Sequence, residues 1–273
     1  MQVSVLGSGS RGNAILVESD GVRLLVDAGF SGRDLERRLA AAGVDPASIT
    51  ALLITHDHTD HTQGMGVAAR RWGLPLYLTD RTRNACRSLL KGTEEVRPYS
   101  SAEVVEIGGL TVTPFLTTHD AVDPVAVTVT ETATGDKLGI ATDLGRATAP
   151  VRHALQRCHL LVLESNHDEL MLRESQYPWS VKARIGGSHG HLSNRASAEL
   201  ARELYHDELC AVVLAHLSEN ANHPALAHEV VGEALERLRY SGSLTVAPQE
   251  RPLETIDVTR LRALRLPAQT SLF

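Results

Sequence analysis

The segment Thr55-His56-Asp57-His58-Thr59-Asp60-His61 places three imidazoles and two carboxylates in one short run. It directly follows the apolar run Ala51-Leu52-Leu53-Ile54, which predicts a strand. Imidazole and carboxylate are ligands that suit zinc, and manganese accepts them as well. Alternate residues of a strand point to one face, so we expect the first two histidines and Asp60 to project together. The last histidine joins them if the chain turns. The segment therefore predicts a metal site, and a solvated histidine-rich turn is the alternative.

Three further candidate ligands close apolar runs later in the chain. They are His119 after Thr117-Thr118, Asp143 at the end of Gly139-Ile140-Ala141-Thr142, and His216 at the end of Val212-Val213-Leu214-Ala215. A single His or Asp is more often a capping or hydrogen-bonded group than a ligand. Their order after an intact HxHxDH motif makes the combined pattern specific.

HxHxDH followed by separate His, Asp and His resembles the metallo-β-lactamase superfamily over nearly the whole chain. The resemblance implies an α/β fold, the αββα sandwich, in which loops from two sheet-containing halves hold the metals at one edge. The implied ligands are His56, His58 and His119 for the first metal, Asp60, His61 and His216 for the second, and Asp143 bridging both. The implied cofactor is two divalent ions, zinc or manganese. Such ions, about 3.5–4 Å apart, activate a shared water and clamp phosphoryl oxygens, so hydrolysis is expected.

Two further residues have implied roles beside the ligands. Asp27, at the end of Leu24-Leu25-Val26, matches an Asp beneath the superfamily's metal ligands, where it would orient an imidazole. A turn residue at a helix entry is the alternative reading. His191 lies in Gly190-His191-Leu192-Ser193-Asn194, which resembles a motif of the phosphodiesterase and nuclease branches, where an extra His approaches the leaving group. Such a His is a general acid for a departing sugar oxygen. Asp60, Asp143 and His191 are thus the predicted catalytic residues.

Longer segments resemble one group in particular, the YycJ/WalJ (VicX) bacterial nucleases. They are Gly7-Ser8-Gly9-Ser10-Arg11-Gly12-Asn13, Leu163-Glu164-Ser165-Asn166-His167-Asp168, Tyr177-Pro178, the motif at 190–194, and Leu214-Ala215-His216-Leu217-Ser218-Glu219-Asn220-Ala221-Asn222. The group is associated with 5′-to-3′ DNA exonuclease activity. The resemblance therefore implies a nucleic-acid substrate, with DNA favoured over RNA.

Two regions and the motif at 190–194 supply the predicted substrate contacts. The loop from Ser8 to Asn13 can form an anion-binding nest of backbone N–H groups, although a tight structural turn explains it nearly as well. The segment from His167 to Gly190 fits neither helix nor strand and interleaves cations with aromatics, which can bind phosphates and stack bases. Alternatively, it is a covering loop whose Tyr177 and Trp179 plug the core. The predicted contacts are Ser8, Ser10, Asn13, Arg173, Lys182, Arg184, Ser193 and Asn194.

Composition limits the remaining choices. The formal charge of −6 gives no overall basic field, so nucleic-acid contacts must come from a local patch. Three cysteines, odd in number and without a CxxC pair, predict core thiols in a reducing compartment. The first residues carry no basic and apolar leader and no long apolar span follows, so we expect a cytoplasmic protein without membrane contact. We find no linker and predict one domain over 1–273, leaving the oligomeric state open.

The apolar pattern predicts alternating strands and helices. Among them are a helix from Ser31 through Ala42, a helix over Arg81–Lys91, and a β-hairpin from Val125–Glu131 and Lys137–Ala141.

Three rival functions compete with the nuclease. A small-molecule phosphodiesterase needs the same ligands. A glyoxalase II-type thioester hydrolase would need a basic and aromatic extension, whereas residues 257–273 hold three arginines and one aromatic. A non-enzymatic metal-binding regulator does not need the complete hydrolytic ligand set. Lactam hydrolysis is disfavoured because the β-lactamase branch usually carries a Cys in the region where this chain has Asp143.

Overall fold

Short apolar runs form two mixed β-sheets in the computed structural model, which describes residues 1–265. Strands and helices are numbered in chain order. The first sheet contains, in spatial order, β14 (Ile256–Asp257), β1 (Gln2–Gly7), β2 (Ala14–Ser19), β3 (Val22–Val26), β4 (Ala51–Leu53), β5 (Leu76–Leu78) and β6 (Val96–Pro98). The second contains β13 (Ser243–Val246), β12 (Ala211–Ala215), β11 (Leu160–Glu164), β10 (Lys137–Ala141), β9 (Val125–Glu131), β8 (Leu110–Leu116) and β7 (Val105–Ile107).

The two sheets pack face to face through one apolar layer. Alternate residues such as Val17 and Leu24 of the first sheet and Val127 and Val162 of the second are fully buried in it. Because successive side chains of a strand point to opposite faces, the intervening residues form a second apolar face on each sheet. That outer face requires helices to cover it.

Helices cover both outer faces, which confirms the predicted αββα sandwich. The helices are α1 (Gly32–Ala41), α2 (Thr59–Thr62), α3 (Met65–Trp72), α4 (Asp80–Ala85), α5 (Ala149–Leu155), α6 (Glu169–Glu174), α7 (Trp179–Ile185), α8 (Asn194–Leu204), α9 (Pro224–Glu236) and α10 (Val258–Ala263). Helices α1 and α3 bury Leu35 and Met65 against the first sheet. Helices α5, α8 and α9 bury Leu155, Leu200 and Val231 against the second.

Strand direction concentrates loop residues at one edge of each sheet. Strands β3 to β6 run parallel to one another, and so do strands β10 to β13. The carboxyl ends of parallel strands lie at the same edge, which is where open α/β sheets bind ligands. The chain just after β4 meets the second sheet there, since the Val125 amide donates to the Thr55 carbonyl at 3.2 Å. Residues that follow several strands of both sheets are thus brought together.

Several local predictions are confirmed. Ser31 caps α1, its side chain accepting a hydrogen bond from the Asp34 amide. Strands β9 and β10 form the predicted antiparallel hairpin. Cys86, Cys158 and Cys210 are buried free thiols.

Other local predictions are wrong. The helix expected over Arg81–Lys91 stops at Ala85, and a 3-10 turn at Arg87–Leu89 follows. The segment from His167 to Gly190, expected to be irregular, contains α6 and α7. Both helices are short, and Pro178 and several glycines lie outside their ends. The sequence therefore shows no extended helical periodicity in this segment.

The prediction of one domain over 1–273 stays a prediction, and residues 266–273 lie outside the described part. Within residues 1–265, every helix is too short or too polar to cross a membrane.

Candidate metal centre

The HxHxDH segment turns instead of continuing as a strand. Strand β4 ends at Leu53, and His58 precedes the single turn of α2, whose first hydrogen bond joins the His61 amide to the His58 carbonyl at 3.0 Å. His56 and His58 nevertheless lie close together as expected, with ring centroids 4.8 Å apart. The turn also brings His61 to the same side as His56, with ring centroids 4.2 Å apart.

The chain after β3 supports this turn by close backbone contact. The Ala28 amide donates to the His61 carbonyl at 2.8 Å, and the Asn13 amide donates to the Asp60 carbonyl at 2.8 Å. Gly29 lies so near that a Cβ there would come within 1.6 Å of the Asp60 carbonyl oxygen. Glycine is therefore required at this position for the ligand turn to pack.

Three site residues that follow strands adopt left-handed backbone conformations. Asp27, Asp143 and His216 have φ angles of 63°, 58° and 56°, after β3, β10 and β12 respectively. A non-glycine residue in this region costs on the order of 1–3 kcal/mol and persists where its surroundings fix it. Strained backbone at the ends of three strands marks this edge as a functional site.

All seven predicted ligands come together at this edge. His56, His58, His119 and Asp143 form one group able to hold a cation, and Asp60, His61 and His216 form another, with the potential ligand atoms of each group within 4.8 Å of one another. His61 Nε2 lies 3.0 Å from Asp143 Oδ2, which joins the two groups. The assignment of these residues to particular ions stays a prediction.

The donor set fits a divalent cation. His56 Nε2 is buried and makes no hydrogen bond within the described residues, a situation that costs free energy unless another partner is present. Burial lowers the pKa of His56 well below its usual value, so the imidazole is neutral, as a metal ligand must be.

Carboxylates and imidazoles balance one another where the two groups meet. Burial opposes the charge of Asp143, but the His216 and His61 imidazoles lower its pKa well below the usual value. Burial likewise opposes protonation of His61, yet Asp143 and Asp27 raise its pKa well above the usual value. A bound cation would replace these protons in neutralising the carboxylates.

Asp27 lies beneath the ligands and fixes one of them. Its Oδ2 is 2.7 Å from His61 Nδ1, and its Oδ1 accepts a hydrogen bond from the Thr55 amide at 2.8 Å. This contact fixes the ring orientation and leaves Nε2 of His61 for a metal.

Glu164, the last residue of β11, is a site residue that the sequence reasoning did not assign. It is fully buried, and its Oε1 lies 2.8 Å from Nδ1 of both His191 and His216. Its Oε2 accepts a hydrogen bond from the Leu192 amide at 3.0 Å. Burial opposes its ionisation, but the charge and hydrogen bonds of the two histidines lower the pKa of Glu164 to about 2. One carboxylate therefore orients both a predicted ligand and the predicted general acid.

His191 borders both the ligands and solvent. Its side chain is 14% exposed, and the preceding Gly190 carbonyl lies 3.0 Å from His119 Nδ1. Glu164 contacts Nδ1 of His191, so Nε2 lies on the opposite side of the ring from that carboxylate. His191 also forms a third group able to hold a cation, together with Asp143, Glu164 and His216.

A cleft of about 420 Å³ opens above these residues, a volume in the range of small-molecule sites. One wall carries the ligands and His191, and the other belongs to the segment containing α7. Its lining consists of Ser10, His58, Thr59, Asp60, Asp143, Asn166, Tyr177, Val181, Arg184, Ile185, His191, His216 and Ser218.

The predicted contacts of the first loop divide into two kinds. Ser10 is exposed and lines the cleft. Ser8 and Asn13 are buried: the Ser8 hydroxyl accepts from the His216 amide at 2.8 Å and donates to Asn13 Oδ1 at 2.9 Å. The Gly9 amide also donates to Asn13 Oδ1, so internal acceptors occupy groups that an anion nest would need. The geometry favours the tight-turn reading of this loop.

The other predicted contacts divide similarly. Of the three cations, Arg184 lines the cleft, while the Lys182 ammonium donates to the Arg173 carbonyl at 2.7 Å. Ser193 caps α8, and Asn194 is buried in a side-chain network.

The two aromatic residues of the segment from His167 to Gly190 differ in their exposure to solvent. Trp179 is 81% exposed, so it does not plug the core, whereas Tyr177 packs on the cluster of Leu172 and Ile185.

Comparison with known proteins gives the same class of protein as the geometry. Residues 22–217 match the family described as Beta-lactamase superfamily domain. A crystal structure of the metallo-β-lactamase fold protein YhfI from Bacillus subtilis superposes with a TM-score of 0.69 at 19% identity, covering 93% of this chain and 99% of that one. The chain belongs to the metallo-β-lactamase superfamily and, within it, to the group represented by YycJ and WalJ.

Two curated relatives establish this membership. Exodeoxyribonuclease YycJ of Bacillus anthracis is 36% identical over 238 residues, which cover 86% of this chain and 89% of the relative. Exodeoxyribonuclease WalJ of Streptococcus pneumoniae is 34% identical over 230 residues, which cover 82% of this chain and 84% of the relative.

Replacing a predicted ligand should remove metal while leaving the fold intact. We expect Asp143→Ala and His58→Ala to lose bound metal and hydrolytic activity, because the core consists of apolar strands that do not depend on the ions. Elemental analysis gives the metal content, and circular dichroism gives the fold. Full metal occupancy in both variants would refute the ligand assignment.

Glu164→Gln should weaken metal binding without removing a predicted ligand. The amide is nearly the same size but cannot accept hydrogen bonds from both histidines at one anionic oxygen. Loss of such a supporting carboxylate typically lowers metal affinity about 10–100-fold. Chelator competition measures the affinity, with Glu169→Gln, an exposed neighbour outside the two ligand groups, as the control. Equal affinities for the two variants would contradict the orienting role of Glu164.

Proposed function

We propose that the protein is a metal-dependent phosphodiester hydrolase that acts as a DNA exonuclease. The observation that carries the proposal is the arrangement of two cation-holding groups beside His191 in one open cleft. Membership in the group of the exodeoxyribonucleases YycJ and WalJ supports DNA as the substrate and cleavage from an end. We further propose 5′-to-3′ polarity, with RNA as the alternative substrate.

Two divalent ions, zinc or manganese, would be held by the group of His56, His58, His119 and Asp143 and by the group of Asp60, His61 and His216. Asp143 joins the two groups through its contact with His61. Ions bound there would activate water as a nucleophile and stabilise charge on phosphoryl oxygens. Asp60, on the turn of α2, faces the cleft beside His216, with Oδ2 3.2 Å from Nε2. Asp60 would orient the attacking group, and Asp27 and Glu164 would hold the imidazoles in position.

His191 would protonate the departing sugar oxygen. Its Nδ1 is held by Glu164 at 2.8 Å, so the ring has one orientation and presents Nε2 for the transfer. A poor leaving group such as a sugar alkoxide benefits most from this proton.

Substrate contacts would extend outward from the cleft. Ser10 and Arg184, which line it, would bind the phosphate next to the scissile bond. Arg173 and Lys182, which lie with Arg184 in the segment from His167 to Gly190, would bind phosphates farther along the DNA strand. The buried set of Ser8, Asn13, Ser193 and Asn194 would support substrate binding through the hydrogen bonds that hold the loops in place.

A small-molecule phosphodiesterase is the second candidate, because a cleft of about 420 Å³ also suits a small substrate. The glyoxalase II-type thioester hydrolase ranks below it because general acid His191 is of little use to a thiolate leaving group. We include the cytoplasm in the proposal, since three free thiols suit a reducing compartment.

Digestion of end-labelled oligonucleotides tests the function directly. With manganese or zinc added, we expect 5′-labelled single-stranded DNA to release labelled mononucleotides first, and 3′-labelled DNA to shorten gradually. Matched RNA and double-stranded DNA define the substrate class. If all oligonucleotides stay intact while a small phosphodiester is hydrolysed, the nuclease proposal is replaced by the phosphodiesterase.

His191→Ala should slow cleavage about 10²–10⁴-fold, the usual effect of removing a general acid. A phosphodiester with a p-nitrophenolate leaving group needs no protonation and should lose much less rate. Metal content, measured in parallel, should remain that of the unmodified protein. Equal losses on both substrates would indicate a binding or structural role for His191.

A further inference from the structure

We propose that Tyr177 forms a stacking subsite for the terminal nucleobase of the substrate, so that the cleft binds base and phosphate on opposite walls. The inference rests on the proposed nuclease function and adds a residue that recognises the base. The observations that carry it are the fixed position of the Tyr177 ring, the apolar character of its wall, and the polar groups opposite.

The Tyr177 ring is held in place from two sides. It packs against the apolar cluster of Leu172, Ile185 and Ala221 and remains partly exposed to the cleft. Its hydroxyl accepts a hydrogen bond from Asn220 Nδ2 at 2.8 Å. Asn220 lies in the loop that follows the predicted ligand His216, so the ring is tied to the metal side of the cleft. A ring fixed in this way loses little conformational freedom when a base stacks on it.

The wall around Tyr177 suits a base better than a phosphate. Val181 and Ile185, one turn apart on α7, continue the apolar surface into the cleft. Arg184 lies on the same helix face and also lines the cleft, with its side chain 59% exposed. The wall therefore offers an apolar surface for the base and one cation at its edge for the adjoining phosphate.

Arg184 is held at that edge by an acidic partner on the opposite side. Its Nη1 lies 3.2 Å from Oδ2 of Asp120, the residue after the predicted ligand His119. Exposed ion pairs of this kind are weak, so a phosphate can displace Asp120 at little cost in free energy. The pair places the guanidinium between the base wall and the ligand wall, where a phosphate linked to a stacked base would lie.

A stacking subsite would also make degradation independent of the base sequence. Every base has a π-face, so an aromatic residue holds all four bases, whereas selective reading requires hydrogen bonds to base edges. Tyr177, Val181 and Ile185 offer no side-chain amide or carboxylate for such reading. A cleft of about 420 Å³ has room for roughly one nucleotide between the walls.

The experiment combines a protein variant with an altered substrate. Two single-stranded oligonucleotides are compared, identical except that one has an abasic residue at the terminal position that is removed first. We expect Tyr177→Ala to raise KM for the normal oligonucleotide about tenfold to a hundredfold, the loss of one base stack, with kcat changed much less. The abasic terminus should raise KM similarly for the unmodified protein but hardly at all for Tyr177→Ala.

Two control variants separate stacking from other effects. Tyr177→Phe keeps the ring and should retain near-normal KM. Trp179→Ala removes a more exposed aromatic residue that does not line the cleft, and it should behave as the unmodified protein. Circular dichroism and metal content check the fold and the metal site of each variant.

The outcomes distinguish the subsite from the function. The stacking subsite is overturned if Tyr177→Ala and the abasic terminus raise KM independently, so that their effects multiply. It is also overturned if Tyr177→Ala and Trp179→Ala change KM equally. In both cases the unmodified protein still digests DNA, and the nuclease proposal stands. If the unmodified protein digests no oligonucleotide, the function itself is refuted.

Discussion

The site depends on the neutralisation of buried carboxylates at the junction of two sheets. Asp143 and Glu164 are almost completely buried, and an unpaired charge in such a position would be strongly destabilising. Imidazoles surround both groups, and cations bound to those imidazoles would neutralise them further. The same electrostatic requirement explains why His216 contacts Glu164 and Asp60 at once. Metal binding and the stability of this edge are therefore coupled.

The fold satisfies that requirement through strand direction and buried hydrogen bonds. Parallel strands in each sheet deliver Asp27, Asp143, Glu164 and His216 to one edge, and all of these except Glu164 have left-handed backbone conformations. Buried polar groups around them are paired with backbone atoms, as in the contact from the His216 amide to Ser8. Such pairing makes the site rigid before any substrate arrives.

Much of the fold and of the site could be predicted from the sequence. The seven predicted ligands and His191, which the structure brings together, were assigned because they stand in ordered motifs, and the sandwich followed from the family resemblance. Glu164 was not assigned, although it closes the apolar run Leu160-Leu161-Val162-Leu163 in the same way that His216 closes its own run. That shared position after a buried strand was a usable signal.

Other features could not be predicted because they depend on tertiary contacts. Ser8 and Asn13 have polar side chains of the kind that bind substrates. Only the three-dimensional structure shows that these side chains instead contact segments of the chain that carry the predicted metal ligands. Tyr177 and Trp179 are two residues apart, yet one packs beside the cleft and the other faces solvent. Tyr177 precedes α7, and this helix is too short for its periodicity to reveal which of the two residues points inward.

The size of the cleft has a consequence for double-stranded DNA. If duplex DNA is a substrate, a cleft with room for about one nucleotide would admit a single strand, and the terminal pair would have to separate before that strand entered. Opening each step costs on average about 1.4 kcal/mol of stacking, and more at ends rich in G·C pairs. The spontaneous fraying of the duplex end would then limit the rate of digestion, and an enzyme that unwinds DNA ahead of this protein would remove that limit.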